Sequence, residues 1–145
     1  MIVVAAGGVT GVACFGDMTA TGWKSKGIEG VVIDGACRDV AGLRALGFPA
    51  FARAVTPRNF HYPAGLEHGA VNVPVVCAGV LVEPGDIVIG DDDGVVVVPR
   101  RIAPEIVAAA SAFVEGERGF RAMLSEQYVS FGAAEQLKEH GYRFQ

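Results

Sequence analysis

The apolar positions of this chain change period several times, and each change marks an element. Ile2-Val3-Val4-Ala5 is a short unbroken apolar run ended by Gly7-Gly8, which predicts a buried strand. From Asp17 the pattern turns helical: Asp is a good N-cap, and Gly27 follows Lys24 and Lys26 where a helix stop belongs. Val31-Val32-Ile33 is β-branched without alternation, the mark of a strand covered on both faces, and Asp34-Gly35 breaks it. Val40, Leu43 and Leu46 share one face of a helix predicted over residues 38–46; Gly47 ends it, and residues 50–55 return as a strand. The β-α-β-α-β order predicts an α/β fold with a partly parallel sheet and covering helices.

The second half has a different rhythm. Residues 56–69 hold two Pro, two Gly and two His and read as a long loop. Short strands follow over residues 71–76, 79–82, 87–89 and 95–98, separated by the turn signals Glu83-Pro84-Gly85-Asp86 and Asp91-Asp92-Asp93-Gly94. Ile102, Ile106, Ala109 and Phe113 have helical spacing to about Glu117. Gly116 and Gly119 flank an expected hinge, which divides the chain into a main domain, 1–118, and a partly helical extension, 119–145, suited to docking on a neighbouring subunit.

Composition narrows the function. A chain of 145 residues, 51% apolar and 19% charged, fits one globular domain with a real core. Net charge is -4 and the Lys and Arg residues are scattered, which excludes a basic nucleic-acid footprint. Cys14, Cys37 and Cys77 lie in apolar runs outside any CxxC or Cys/His array, so buried free thiols are expected rather than a zinc site; Cys37 beside Arg38 is a weak candidate for a lowered thiol pKa. The apolar start has no Lys or Arg before Lys24, unlike a secretory signal, and no apolar stretch suits a bilayer span, so a cytoplasmic location and no membrane partner are expected.

Three polar features stand where strands end: Gly16-Asp17-Met18-Thr19, Asp34-Gly35-Ala36-Cys37-Arg38-Asp39, and the turn Asp91-Asp92-Asp93-Gly94. The first two fall at carboxyl ends of predicted strands, where ligands sit in α/β sheets. Asp17 reads most simply as a helix cap, with first-turn backbone N–H groups at Met18 and Thr19 free to bind an anion. Asp39 reads equally as a first-turn acid complementing the helix dipole or, with Arg38, as a pair facing a cleft. The triple Asp turn is too short for an EF-hand and reads as a hairpin. His61, His68 and His140 have no ligand spacing, Trp23 and Tyr62 read as packing residues, and Gly7-Gly8-Val9-Thr10-Gly11 lacks the ending of a phosphate loop.

Taken together, Gly16-Asp17-Met18-Thr19-Ala20, the run from Gly30 to Val40, Gly47-Phe48-Pro49, the run from Val71 to Gly79, Pro84-Gly85-Asp86 and the run from Asp91 to Pro99 resemble one family. It unites the 4-hydroxy-4-methyl-2-oxoglutarate / 4-carboxy-4-hydroxy-2-oxoadipate aldolases with the RNase E regulator RraA. The resemblance covers about residues 3–114, and the tail from Gln136 to Tyr142 resembles the extension of the aldolase branch. It implies a layered sandwich with a mixed sheet, of the swivelling phosphohistidine-domain type, assembled as trimers or hexamers with sites between subunits. It further implies that Asp39 binds Mg²⁺ or Mn²⁺, and that Arg38 holds the carboxylate and keto oxygen of a pyruvyl unit. Asp17 would position a metal-bound water and move protons, and the Met18 and Thr19 N–H groups would receive the substrate carboxylate. A glutamate from the adjacent subunit completes the metal's surroundings, with Glu115 or Glu117 the nearest candidate. Relative to the family an N-terminal segment is missing, and the loop over residues 59–69 is longer than usual.

The implied activity is a class II pyruvate aldolase acting on 4-hydroxy-2-oxo di- or tricarboxylic acids, with oxaloacetate decarboxylation as a side reaction through the same enolate. No lysine lies in the matched motifs, against a Schiff-base mechanism. The alternative is a non-catalytic regulator binding RNase E, a branch in which a neutral amide replaces the acidic partner of the Arg. Methyl transfer ranks last, since no strand, Gly-rich loop and acid arrangement for a methyl donor is present, and an inactive shortened member stands as the remaining possibility.

Overall fold

The computed structural model describes residues 1–59 and 69–126, with side chains as far as 121. The chain divides into two compact units, Met1–Ala103 and Pro104–Gln145. The first opens with β1 (Ile2–Phe15), α1 (Asp17–Lys24), β2 (Val31–Cys37), α2 (Val40–Leu46) and β3 (Ala50–Val55). The three strands form one sheet in the order β1-β2-β3, all parallel. Two antiparallel hairpins follow: β4 (Val75–Cys77) with β5 (Val80–Val82), and β6 (Ile87–Asp91) with β7 (Gly94–Val98). A 3-10 turn (Arg100–Ile102) leads into α3 (Ala103–Glu126). Parallel and antiparallel pairings therefore lie in separate sheets.

The central strand β2 is buried along almost its whole length, as its unalternating β-branched start predicts. Its odd positions, Val31 and Ile33, join Phe15, Ala20, Cys37, Leu43 and Phe48 in the core under the two helices. Phe15 anchors this core, with its ring 5.1 Å from Trp23 and 6.0 Å from Phe48. On the opposite face, Val3 and Val32 meet Cys77, Val82 and Val97 of the hairpins around a small cavity of about 80 Å³.

Both helices stop where glycine permits a left-handed residue. Gly27 has φ +79° and Gly47 φ +60°. Ile28 N–H bonds Trp23 O and Gly27 N–H bonds Lys24 O, while Phe48 N–H bonds Leu43 O and Gly47 N–H bonds Arg44 O. Each set is the Schellman pattern, which satisfies the last helical carbonyls. Lys24 Nζ also donates to Leu46 O, joining the C-terminal ends of α1 and α2.

Several expectations are corrected. Gly7-Gly8 does not end β1; both residues have positive φ, and the strand continues to Phe15 through register shifts between Val4, Val9, Ala13 and Phe15. This leaves a widened, kinked stretch, since bulges bend a strand without ending it. Asp34-Gly35 does not break β2, because the buried Asp34 carboxylate pairs with Arg53 of β3. Residues 71–73 form a bend rather than strand, with Asn72 left-handed at φ +60°, and pairing begins only after Pro74, at Val75. α3 runs unbroken through Gly116 and Gly119 where a hinge was expected. Cys14 is exposed, while Cys37 and Cys77 are buried. His61, Tyr62, His68, His140 and the tail motif lie outside the described residues.

Candidate functional site at the carboxyl ends of β1 and β2

Parallel pairing places Phe15 beside Cys37, so the residues that follow each strand emerge together. The Arg38 backbone N–H donates to Phe15 O at 2.9 Å, fixing that junction. α1 begins with Asp17 itself, and the residue capping it is Gly16 in extended backbone without a side-chain cap. Asp17 is thus a first-turn helical residue and not the expected N-cap. α2 begins at Val40, two residues later than expected, because Asp39 precedes it in the left-handed region at φ 60°, ψ 40°. Non-glycine residues seldom adopt that conformation, Asp more readily than most, and it gathers at functional sites.

The turn aims the Asp39 carboxylate back at its neighbour. Arg38 Nη1 lies 2.6 Å from Asp39 Oδ2. That approach lacks hydrogen-bond alignment, and Oδ2 is buried with no hydrogen-bond partner among the described residues. Gly16 makes the arrangement possible: a Cβ there would collide with Asp39 Oδ2 and come 3.0 Å from Arg38 Cγ. Asp17 occupies the adjacent space, since a Cβ on Gly42 in the first turn of α2 would come 2.9 Å from the Asp17 Cβ. Gly16 and Gly42 are therefore the contacts that motif reading alone did not assign; their signal is glycine at a strand end and in a helix first turn, legible only once the partner is known.

A cavity of about 450 Å³ opens beside this cluster. Arg38, Gly16 and Thr19 line it, together with the widened stretch of β1, Cys14 and Asn59. Asp17, Met18 and Asp39 are not among its lining residues, and Met18 is 77% exposed. The candidate residues thus divide: Arg38 and Thr19 face the cavity, Asp39 stands behind Arg38, and Asp17 rests against α2. Glu115 pairs with Arg118 at 2.6 Å on α3.

No thiol shows the lowered pKa of an activated cysteine. Burial raises the Cys37 thiol despite the adjacent Arg38 and raises Cys77 too, while Cys14, exposed as a residue, is raised by the part-buried setting of its Sγ beside Ala36 O. The other buried carboxylate, Asp34, is engaged: the Arg53 hydrogen bond lowers its pKa, helped by the Ala78 backbone N–H. No group of three or more His, Cys, Asp or Glu suited to a metal occurs among the described residues. A divalent ion here would rest on few protein oxygens, the manner of Mg²⁺, which keeps most of its waters. The buried, hydrogen-bond-free Asp39 Oδ2 fits such an ion.

A family model, RraA-like (Aldolase/RraA), matches residues 1–97. The chain belongs to this family. Similar proteins include one of Methanocaldococcus jannaschii, 47% identical over 75% of this chain and 51% of its own length. A Halalkalibacterium halodurans protein provisionally named 4-hydroxy-4-methyl-2-oxoglutarate aldolase is 42% identical over 69% of this chain and 46% of its own length. Among solved structures, Streptomyces coelicolor RraAS2, described as an unusual member of the RNase ES inhibitor RraA family, superposes with a TM-score of 0.73 at 40% identity, covering 84% of this chain and 62% of that one. The chain spans about half the length of the curated relatives it matches. No helix among the described residues is long and apolar enough to cross a membrane.

Proposed function

We propose that this chain is a divalent-metal-dependent pyruvate aldolase that cleaves 4-hydroxy-2-oxo acids. The observation that carries the reading is the Asp39 carboxylate oxygen, buried without a hydrogen bond among the described residues and 2.6 Å from the Arg38 guanidinium. Arg38 offers a planar fork that suits the carboxylate and 2-oxo oxygen of the substrate in two-point contact. The first-turn N–H groups of Met18 and Thr19 have no intrahelical partner and favour anions, so they receive carboxylate charge. Asp17 accepts the proton of the 4-hydroxyl as the C3–C4 bond breaks, C4 becomes a carbonyl, and the bonding pair passes into the pyruvate enolate. The same proton returned to C3 gives pyruvate. Asp39 would hold Mg²⁺ or Mn²⁺, which supplies Lewis acidity toward the enolate oxygen. Oxaloacetate enters the same route by losing CO₂ from C4. The reading includes a layered-sandwich trimer or hexamer, with Glu115 or Glu117 of a neighbouring copy near the cation.

Pyruvate release from oxaloacetate or a 4-hydroxy-2-oxo acid, followed through lactate dehydrogenase with MgCl₂ present, tests the proposal. EDTA should abolish the signal, and Asp39→Asn should nearly do so. Pyruvate release at full rate in EDTA would remove it. Likeness to the Streptomyces inhibitor-family protein favours a second reading, a non-catalytic regulator, which a pull-down with RNase E tests.

A further inference from the structure

We propose that Gly42 is a positioning residue for the aldol step: the side chain it lacks sets where the Asp17 carboxylate stands. The inference rests on the aldolase reading and adds a residue to that site. α1 and α2 lie side by side and meet at both ends. At their C-terminal ends Lys24 Nζ donates to Leu46 O. At their N-terminal ends Gly42, in the first turn of α2, faces Asp17, the first residue of α1. A Cβ on Gly42 would lie 2.9 Å from Asp17 Cβ and 3.0 Å from Asp17 Cγ, and would overlap Asp17 Oδ2. Rotating the carboxylate clears Oδ2 but leaves the two Cβ atoms in collision, because Asp17 Cβ is fixed to the backbone of α1. A methyl here must therefore move Asp17 or part the first turns of the two helices.

Glycine inside a helix is less stable than alanine, so its presence calls for a cause. Backbone conformation is not the cause at Gly42, which has no positive φ. Gly22 in α1 and Gly116 and Gly119 in α3 have open space where a Cβ would stand. Among the described helical glycines Gly42 alone is pressed against another element, and what it meets is the acid assigned to proton transfer. The place of that acid matters to one reaction more than to the other. In aldol cleavage Asp17 takes the 4-hydroxyl proton as the C3–C4 bond breaks and its electron pair enters the enolate. In oxaloacetate decarboxylation the same bond breaks and the same enolate forms, but C4 leaves as CO₂ from a carboxylate that carries no proton, so that bond breaks without a base. Arg38 serves both. Displacing Asp17 therefore slows aldol cleavage selectively, whereas a general distortion of the site slows both reactions.

Gly42→Ala tests this, with Gly22→Ala as the control methyl in open space. In Gly42→Ala, kcat for cleavage of 4-hydroxy-4-methyl-2-oxoglutarate should fall at least about tenfold with KM within about twofold, since misplacing a reacting group by about 1 Å costs up to about 10²-fold. Oxaloacetate decarboxylation should stay within about twofold of wild type, and Gly22→Ala should change neither rate. The urea midpoint should drop in Gly42→Ala and rise in Gly22→Ala, and Asp17→Gly, which removes the colliding atoms, should cancel the drop. Equal loss of both activities, or aldol cleavage within about twofold of wild type, overturns the positioning role and leaves the aldolase reading intact. A midpoint that rises in Gly42→Ala, or a Gly42→Ala protein that Asp17→Gly does not restore to folding, overturns the contact on which the role depends. Wild-type protein that releases no pyruvate from the aldol overturns the aldolase reading and the positioning role with it.

Discussion

The hairpins and the parallel sheet both carry aspartates at strand ends, but the two regions use them differently. In the hairpin half, each key carboxylate is engaged by nearby backbone. Asp91 Oδ1 accepts from Asp93 N–H at 2.9 Å and Gly94 N–H at 3.3 Å across its own turn. Asp86 accepts from Glu83 N–H and Arg100 N–H, each at 2.9 Å, and these bonds lower its pKa. At the carboxyl edge of the parallel sheet, Asp39 keeps a buried oxygen with no hydrogen bond among the described residues, held in a left-handed turn beside Arg38. An acid that accepts backbone hydrogen bonds stabilises a turn; one with a buried oxygen left without them has capacity left for a ligand.

The largest expected effect falls on that unmatched pair. Arg38→Ala should lower kcat/KM for pyruvate release by about 10²–10³-fold, the usual cost of losing one oxyanion donor, while leaving the thermal midpoint nearly unchanged. A variant retaining wild-type activity would erase the contrast between the two regions. Next is Gly16→Ala, whose methyl must displace the Arg38 and Asp39 side chains; it should cost about 1–3 kcal/mol in denaturant unfolding and reduce activity together.

Asp34 supplies an intermediate case, a buried acid that is matched by Arg53 across the sheet. Its folded pKa lies below the unfolded value, so its contribution is present above the ordinary carboxylate range, near pH 4, and is lost as pH falls through the depressed folded value. Asp34→Asn should therefore lower the midpoint at neutral pH and flatten the acid limb of a pH–stability curve. An unchanged acid limb would show that Arg53 does not hold this carboxylate. The smallest effect belongs to Asp91→Ala, expected to cost roughly 1 kcal/mol for its turn hydrogen bonds and to leave kcat and KM where they are.

Legibility follows how far each residue's partner lies along the chain. The Asp91 turn, the helix stops at Gly27 and Gly47 and the β-branched start of β2 were readable, because each depends on residues within a few positions. The strand ends at Gly7-Gly8 and Asp34-Gly35 were misread. β1 continues by pairing with β2 about twenty-five residues away, and Asp34 is tolerated inside β2 by an arginine nineteen residues on. The motif around Arg38 and Asp39 pointed to a site, but not to the left-handed turn that delays α2, nor to Gly16 and Gly42 as the clearances it needs.

By itself the sequence determined the α/β order of the first half, the hairpin turns of the second and the family, because hydrophobic period, turn chemistry and motif spacing are local or collinear properties. Only the tertiary structure decided which buried carboxylate oxygen is left without a hydrogen bond among the described residues, and which residues of the kinked β1 wall the cavity beside Arg38. Hydrogen-bond satisfaction and exclusion of water depend on what distant segments bring to the same place, and no local pattern encodes that.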